Sequence, residues 1–277
     1  MIAKLRIGLA LALAASGTLV LVPLQLISMK TGLWRETVVL KVWHRVILRA
    51  LGMRVHVTGK LAPQRPLLIA ANHVSWTDIP VLGAIADVRF IAKADMQGWP
   101  LVGFLSSLQR TVYIDRERRR RSGDQAGEIA GRLVNGEAMV LFAEGTTGDG
   151  NLMLPFKSTL FGAATMAIAD GAAREVAIQP VAIVYTRLHG MPLGRRFRAL
   201  ASWIGDQDLA PHAKTLLATG AMDVEVRFGE PVVFAAGDNR KQAARLVEER
   251  VREMFAAALR EPLPAPRPKP PQTGPKA

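Results

Sequence analysis

The chain has 277 residues, 49% of them hydrophobic, and a formal net charge of +13. That length carries one sizeable domain with attachments, and the apolar fraction excludes a disordered chain. There is no cysteine, and the five histidines are scattered without an HExxH spacing, so disulfides, thiol catalysis and cysteine-ligated zinc are excluded and no histidine-rich metal site is expected.

In chain order, residues 7–29 come first, a run with no charged side chain, flanked by Lys4, Arg6 and Lys30. It is long enough to cross a hydrocarbon layer of about 30 Å. A secretory signal is the alternative, given the small residues Ala14, Ala15, Ser16 and Gly17, but the apolar run continues to Ile27. In residues 34–51, Val38, Val42 and Val46 recur at helical spacing, with Lys41, Arg45 and Arg49 on one flank. This predicts a basic amphipathic helix that either rests at lipid headgroups, helped by Trp34 and Trp43, or packs on the domain. Residues 1–51 are therefore expected to form an N-terminal, membrane-associated helical pair. Positive charge is heavier after the apolar run than before it, which places the following domain on the cytoplasmic side.

From residue 53 onward short apolar runs alternate with helical patterns. Strands are predicted at 54–58, 67–71, 88–92, 111–114, 138–142, 176–184 and 223–228. Helices are predicted at 79–86, 100–108, 123–135, 157–170 and 239–260, the last capped by Asp238. The alternation predicts an α/β domain over residues 52–261, with a central, largely parallel sheet flanked by helices. Residues 262–277 hold seven of the seventeen prolines and are expected to be a disordered tail.

The charge is concentrated. Residues 30–60 carry seven Lys and Arg against Glu36, residues 116–121 five Arg against Glu117, and residues 260–277 four Lys and Arg against Glu261. Such patches attract anionic headgroups, at about 1 kcal/mol per basic residue near the surface. Nucleic acid is the competing partner, but the arginine cluster has no interleaved aromatics and no nucleic-acid-binding motif occurs. Membrane lipids are the expected partner, and nucleic acid is not.

Two polar loops follow strand candidates. After 67–71 comes Asn72-His73-Val74-Ser75-Trp76-Thr77-Asp78. A histidine can take a proton near pH 7, and a carboxylate on its other ring nitrogen fixes the tautomer. Five positions on one continuous helix would set the two side chains about 140° apart. The pair therefore needs His73 on a loop and Asp78 near a helix start, which Pro80 fits. A loop histidine beside an N-capping aspartate is the plain alternative. After 138–142 comes Ala143-Glu144-Gly145-Thr146-Thr147-Gly148, a polar turn of the kind that binds substrates at strand ends.

Together these loops resemble the glycerolipid acyltransferase family, whose bacterial type member acylates 1-acylglycerol-3-phosphate to phosphatidate. Its N-H-x-S-x-x-D block is matched by Asn72, His73, Ser75 and Asp78. Its second block is matched by Lys93, Pro100-Leu101-Val102-Gly103 and Ile114-Asp115-Arg116. Its F-P-E-G-T-R block is matched by Phe142-Ala143-Glu144-Gly145-Thr146-Thr147, and its fourth by Ile178-Gln179-Pro180-Val181. Ala143 stands where the family has proline. Thr147 stands where it has arginine, which removes a planar cation suited to phosphate. The form Glu144-Gly145-Thr146-Thr147-Gly148-Asp149-Gly150, with Trp203-Ile204-Gly205-Asp206 downstream, also looks like a subgroup that includes lyso-ornithine lipid acyltransferases.

The resemblance implies transfer of an acyl group from an acyl-carrier-protein or coenzyme A thioester to the free hydroxyl of a lysolipid, with lysophosphatidate first and lyso-ornithine lipid as the alternative. It implies His73 as base and Asp78 as its orienter. Glu144, Gly145 and Thr146, helped by Arg116 and Lys93, would position the acceptor. No metal and no cofactor beyond the thioester co-substrate is expected. The expected location is the bacterial inner membrane, with the domain facing the cytoplasm. No GxSxG elbow and no GxxxxGK[ST] loop occurs to support a serine hydrolase or a P-loop enzyme. A non-catalytic membrane-binding protein on the same fold is the alternative from another class, and the intact His73, Asp78, Glu144 and Gly145 speak against it.

Overall fold

The computed structural model describes residues 2–114, 119–169, 172–205 and 207–263. In chain order the elements are α1 (Ile2–Thr31), α2 (Glu36–Leu51), β1 (Met53–Thr58), β2 (Leu67–Ala71), α3 (Asp78–Ile85), β3 (Arg89–Lys93), α4 (Pro100–Leu108), β4 (Val112–Ile114), α5 (Arg119–Val134) and β5 (Ala138–Phe142). There follow α6 (Gly162–Ala169), β6 (Glu175–Leu188), β7 (Met191–Pro192), α7 (Arg195–Arg198), α8 (Leu209–Thr219), β8 (Met222–Phe228), β9 (Val232–Ala235) and α9 (Arg240–Arg260).

Among the described residues nine strands form one sheet in the order β1-β8-β6-β2-β5-β3-β4, with β7 and β9 also paired to β6. Strands β2 and β5 are buried at every position. Their side chains alternate between two cores: Leu67, Ile69, Ala138 and Val140 face one, and Leu68, Ala70, Met139 and Leu141 the other. A strand covered on both faces reads as a continuous apolar run, which is why both were visible in the sequence. Helices α2, α3 and α8 cover the first face, and α5, α6 and α9 the second.

The expectation of a largely parallel sheet needs correction, because the sheet is mixed. β6 is parallel to β2 but antiparallel to β7, β8 and β9. The fourteen-residue β6 is met along its length by a single return of the chain, first β8 and then β9. The return is interrupted where β6 reaches Pro180, which has no N–H for the ladder. There the Gln179 side chain takes over, accepting from Ala62 N at 2.9 Å and donating to Lys60 O and Gly229 O at 2.9 and 3.0 Å. The cap of α9 is also one residue later than predicted. Asn239 Oδ1 accepts from Lys241 N and Gln242 N, while Asp238 accepts from Ala235 N.

The expected pair of membrane-associated helices resolves into two different things. Among the described residues, α1 is the one helix long and apolar enough to cross a membrane. It lies along the domain and is tied at both ends. Arg6 Nη1 donates to Ala218 O at 3.1 Å in the last turn of α8, and Gln25 Nε2 donates to Leu108 O at 3.0 Å at the end of α4. Its outer face leaves Leu5, Leu9, Leu19 and Val20 exposed. Helix α2 is a packing helix, with Val39, Leu40, Leu48 and Leu51 buried. Its cations are largely spent on the domain: Lys41 pairs with Asp87 at 2.6 Å, and Arg45 bonds Ala84 O at 3.1 Å. Trp43 donates to Thr18 Oγ1 at 2.9 Å and so joins α2 to α1. The two helices approach closely at Gly17, where a Cβ would come within 2.6 Å of Val46.

Candidate active site

Strands β2 and β5 are parallel neighbours, so their C-terminal ends open on the same edge of the sheet. The helix after β2 lies on one face and the helix after β5 on the other. Connections that part in this way leave a crevice outside the strand ends, the usual ligand position in α/β sheets. The loops that carry His73 and Glu144 follow these two strand ends.

His73 lies on the loop after β2, and Asp78 is the first residue of α3. The loop-to-helix arrangement brings the pair together. His73 Nδ1 lies 2.8 Å from Asp78 Oδ2, which also accepts from Val74 N at 2.7 Å and Ser75 N at 3.0 Å. Asp78 is fully buried, and its other oxygen accepts from Tyr185 OH at 2.7 Å. Thr77 Oγ1 stands 2.6 Å from the same phenol, and the phenol spends its one proton on the carboxylate, so Thr77 is the donor there. Burial, with the Asp78 charge beside it, holds the Tyr185 phenol well above its usual range and keeps it a donor. With Nδ1–H committed to Asp78, Nε2 is the nitrogen left to accept a proton. The imidazole stacks on Phe142, ring centroids 3.9 Å apart, which fixes its plane.

Asn72 locks the start of this loop into the sheet. Its amide donates to Ile183 O at 2.9 Å and accepts from Ile183 N at 2.8 Å, extending the β2–β6 ladder by one side chain. The glutamate loop closes over the histidine loop: Gly148 N donates to His73 O at 2.8 Å. Gly145 adopts φ +74°, a conformation that favours glycine. Thr147 donates to Trp203 O, and Trp203 N donates to Val74 O at 3.0 Å, so residues 200–205 tie both loops together.

Glu144 is buried, with 2% of its surface exposed. Burial pushes its carboxyl up to about 8, against the opposing pull of the His73 and Leu154 N–H groups and with a further rise from Asp78. One of its oxygens, Oε2, has no hydrogen-bond partner among the described residues. A neutral carboxyl in that position has a proton to donate.

The structure thus gathers His73, Asp78, Glu144 and Gly145, with Thr146 exposed at the tip of the glutamate loop. Lys93 ends β3 on the same edge of the sheet but is half exposed and pairs with Asp95 at 3.0 Å. Arg116 lies outside the described residues. Tyr185 was not singled out from the sequence, and Thr77, Phe142 and Trp203 entered it only as members of motif strings, with no role assigned. Tyr185 offered one signal, since a tyrosine inside an apolar strand has a hydroxyl that needs a partner. A second His–Asp pair, His56 with Asp223 at 2.9 Å, lies across β1 and β8, away from the glutamate loop. Among the described residues no three His, Asp or Glu side chains are grouped to hold a metal ion.

A family profile described as Acyltransferase matches residues 53–184, the segment that carries both loops. The chain is 50% identical over 261 residues to a lyso-ornithine lipid O-acyltransferase of Brucella abortus, covering 94% of this chain and 97% of that protein. It is 45% identical over 260 residues to one of Rhizobium meliloti, covering 94% and 89%. A 1-acyl-sn-glycerol-3-phosphate acyltransferase of Neisseria meningitidis is 37% identical over 45% of this chain and 52% of its own length. In fold, the chain is similar to the crystal structure of the 1-acyl-sn-glycerophosphate acyltransferase of Thermotoga maritima, with a TM-score of 0.62 at 20% identity over 92% and 96% of the two chains.

The fold, the paired loops and these relatives define an acyltransferase of lipid metabolism. The chain belongs to the acyltransferase family that includes the bacterial lyso-ornithine lipid and lysophosphatidate enzymes.

Proposed function

We propose that this enzyme moves a fatty acyl group from an acyl-carrier-protein or coenzyme A thioester to the free hydroxyl of lyso-ornithine lipid. The observation that carries the choice of acceptor is extent. The lyso-ornithine lipid O-acyltransferases of Brucella abortus and Rhizobium meliloti match nearly the whole chain, while the Neisseria meningitidis lysophosphatidate enzyme matches less than half. Lysophosphatidate, the first expectation from the motifs, becomes the second reading.

The geometry supports one sequence of events. The acceptor hydroxyl lies against His73 Nε2 and attacks the thioester carbonyl carbon. Its proton passes to Nε2 as the C–O bond forms, and Asp78 steadies the ring that gains it. The C–S bond then breaks, and the same proton goes to the departing sulfur to give the free thiol. Glu144, with Gly145 and Thr146, positions the acceptor against the loop. Lys93 adds positive charge at the rim, and Arg116 is proposed from the motif alone as a further cation for the acceptor.

We read residues 1–51 as the attachment, residues 52–261 as the catalytic domain and residues 262–277 as a tail. Docking of α1 at both ends favours a helix lying in one leaflet over one standing across the bilayer, with α2 as its support. Cations outnumber carboxylates after α1, which favours the cytoplasmic face of the inner membrane, where acyl thioesters are supplied.

The test is an acceptor panel. Purified enzyme with one acyl thioester is offered lyso-ornithine lipid and lysophosphatidate separately. A higher kcat/KM for lyso-ornithine lipid is expected; a higher value for lysophosphatidate refutes the acceptor assignment.

A further inference from the structure

Beyond the glutamate, the loop continues as Asp149, Gly150 and Asn151, and helix α7 closes on it. Arg198 Nη1 donates to Asn151 Oδ1 at 3.0 Å, and Arg198 Nε is buried with no hydrogen-bond partner among the described residues. Four of the five N–H bonds of this guanidinium are therefore not given to Asn151. Across the asparagine, its amide donates to Asp149 Oδ2 at 3.3 Å and to Arg195 O at 3.3 Å. The other oxygen of Asp149 accepts from Asn151 N at 2.8 Å and Leu152 N at 3.1 Å. Arg198 and Asp149 do not pair with each other. Asn151 stands between them, bonded to both, so the two charges are bridged without direct contact, and the Arg195 charge lies near enough to act on each.

This cluster adjoins the catalytic loop. At Gly150, with φ +72°, a Cβ would come within 3.3 Å of Val74, the residue after His73, and within 3.7 Å of Arg198 Cβ. Thr147, in the place of the family's arginine, is uncharged, and its hydroxyl donates to Trp203 O. Arg198 reaches the same loop from α7.

We propose that Arg198 and Asp149 read the acceptor headgroup as a zwitterion, Arg198 taking its carboxylate and Asp149 its ammonium. This rests on the acceptor reading given above. An ornithine headgroup carries one group of each sign, separated by a short carbon chain, as the two side chains are separated by Asn151. A phosphate headgroup has two negative charges and no cation. Arg198 attracts it and Asp149 repels it, so the same pair discriminates by repulsion as well as attraction.

The experiment measures KM and kcat for lyso-ornithine lipid and for lysophosphatidate, with one acyl thioester, in wild type, Arg198→Gln and Asp149→Asn. Asparagine can still accept the two loop N–H groups, so Asp149→Asn removes mainly charge, whereas glutamine ends two atoms short of Nη1, so Arg198→Gln removes the charge together with the bond to Asn151. Asp149→Asn is expected to raise KM for lyso-ornithine lipid roughly 10-fold or more, the scale of one charge-assisted contact, and to lower it for lysophosphatidate, with kcat little changed. Arg198→Gln is expected to raise KM for both. Equal shifts of both acceptors in Asp149→Asn, or a fall in kcat alone, would mean a loop effect and overturn the proposal. Wild type that prefers lyso-ornithine lipid, with an unchanged KM ratio in both variants, overturns the pair and leaves the acceptor reading standing. Wild type that acylates only lysophosphatidate overturns both.

Discussion

Tyr185 donates its phenolic proton to Oδ1 of Asp78 at 2.7 Å, across 107 positions of sequence. The residue that orients the histidine is thus itself held by the middle of the sheet. Tyr185→Phe removes that donor, leaving a fully buried carboxylate oxygen unpaired and Thr77 without its acceptor. A stability loss of about 1–3 kcal/mol is expected. Turnover should fall as well, because Asp78 is then fixed from one side only. Denaturant unfolding and steady-state kinetics on the same preparations measure both, and an equally stable variant would show that the phenol does not hold Asp78.

Glu144 gives a pH signature. Its folded value of about 8 lies above its ordinary value of 4.5, so the folded state binds the proton more tightly than the unfolded chain. The stability this contributes is complete below pH 4.5 and is lost as pH rises towards 8, at up to about 1.4 kcal/mol per unit. Glu144→Gln does not titrate. The stability of the glutamine variant relative to wild type should therefore grow between pH 5 and 8 and level off above. Urea unfolding across that range reads it, and a difference independent of pH would place the carboxyl in a more solvated setting.

Deleting residues 1–31 should release the enzyme from liposomes while leaving it folded. Helix α1 buries little of itself, whereas α2 supplies core residues and has to stay. Flotation reports attachment and circular dichroism reports fold. A folded, truncated enzyme that still floats fully with the liposomes would contradict α1 as the anchor.

Thr147→Val keeps the shape of the side chain and removes the hydrogen bond to Trp203 O. About 0.5–1.5 kcal/mol of stability should be lost, and Thr147→Ser should recover most of it. Thermal unfolding of the three proteins makes the comparison; an unaffected valine variant would leave this tie without a structural role.

Much of the domain was legible in the sequence because its strands are buried on both faces. Runs such as 67–71 and 138–142 have no polar interruption, and they mark the two ends where His73 and Glu144 follow. The direction of β8 was not legible, since the alternation of strand and helix patterns suggested parallel strands throughout, and helix α8 and strand β9 were not predicted. The basic flank of α2 suggested a headgroup-facing helix, but Lys41 and Arg45 turn towards the end of α3. The site was legible only where its residues are local. The His73–Asp78 pair spans five residues and showed itself, whereas the Tyr185–Asp78 and Thr147–Trp203 contacts join segments that only the fold brings together.

The central claim is that His73 removes the acceptor proton during acyl transfer, and turnover of purified His73→Ala tests it most directly. With an acyl-carrier-protein or coenzyme A thioester and lyso-ornithine lipid as acceptor, wild type should turn over. The variant, folded and membrane-bound as before, should be slower by roughly 10²–10⁴-fold, the usual contribution of a general base. Near-normal turnover from His73→Ala would contradict the account.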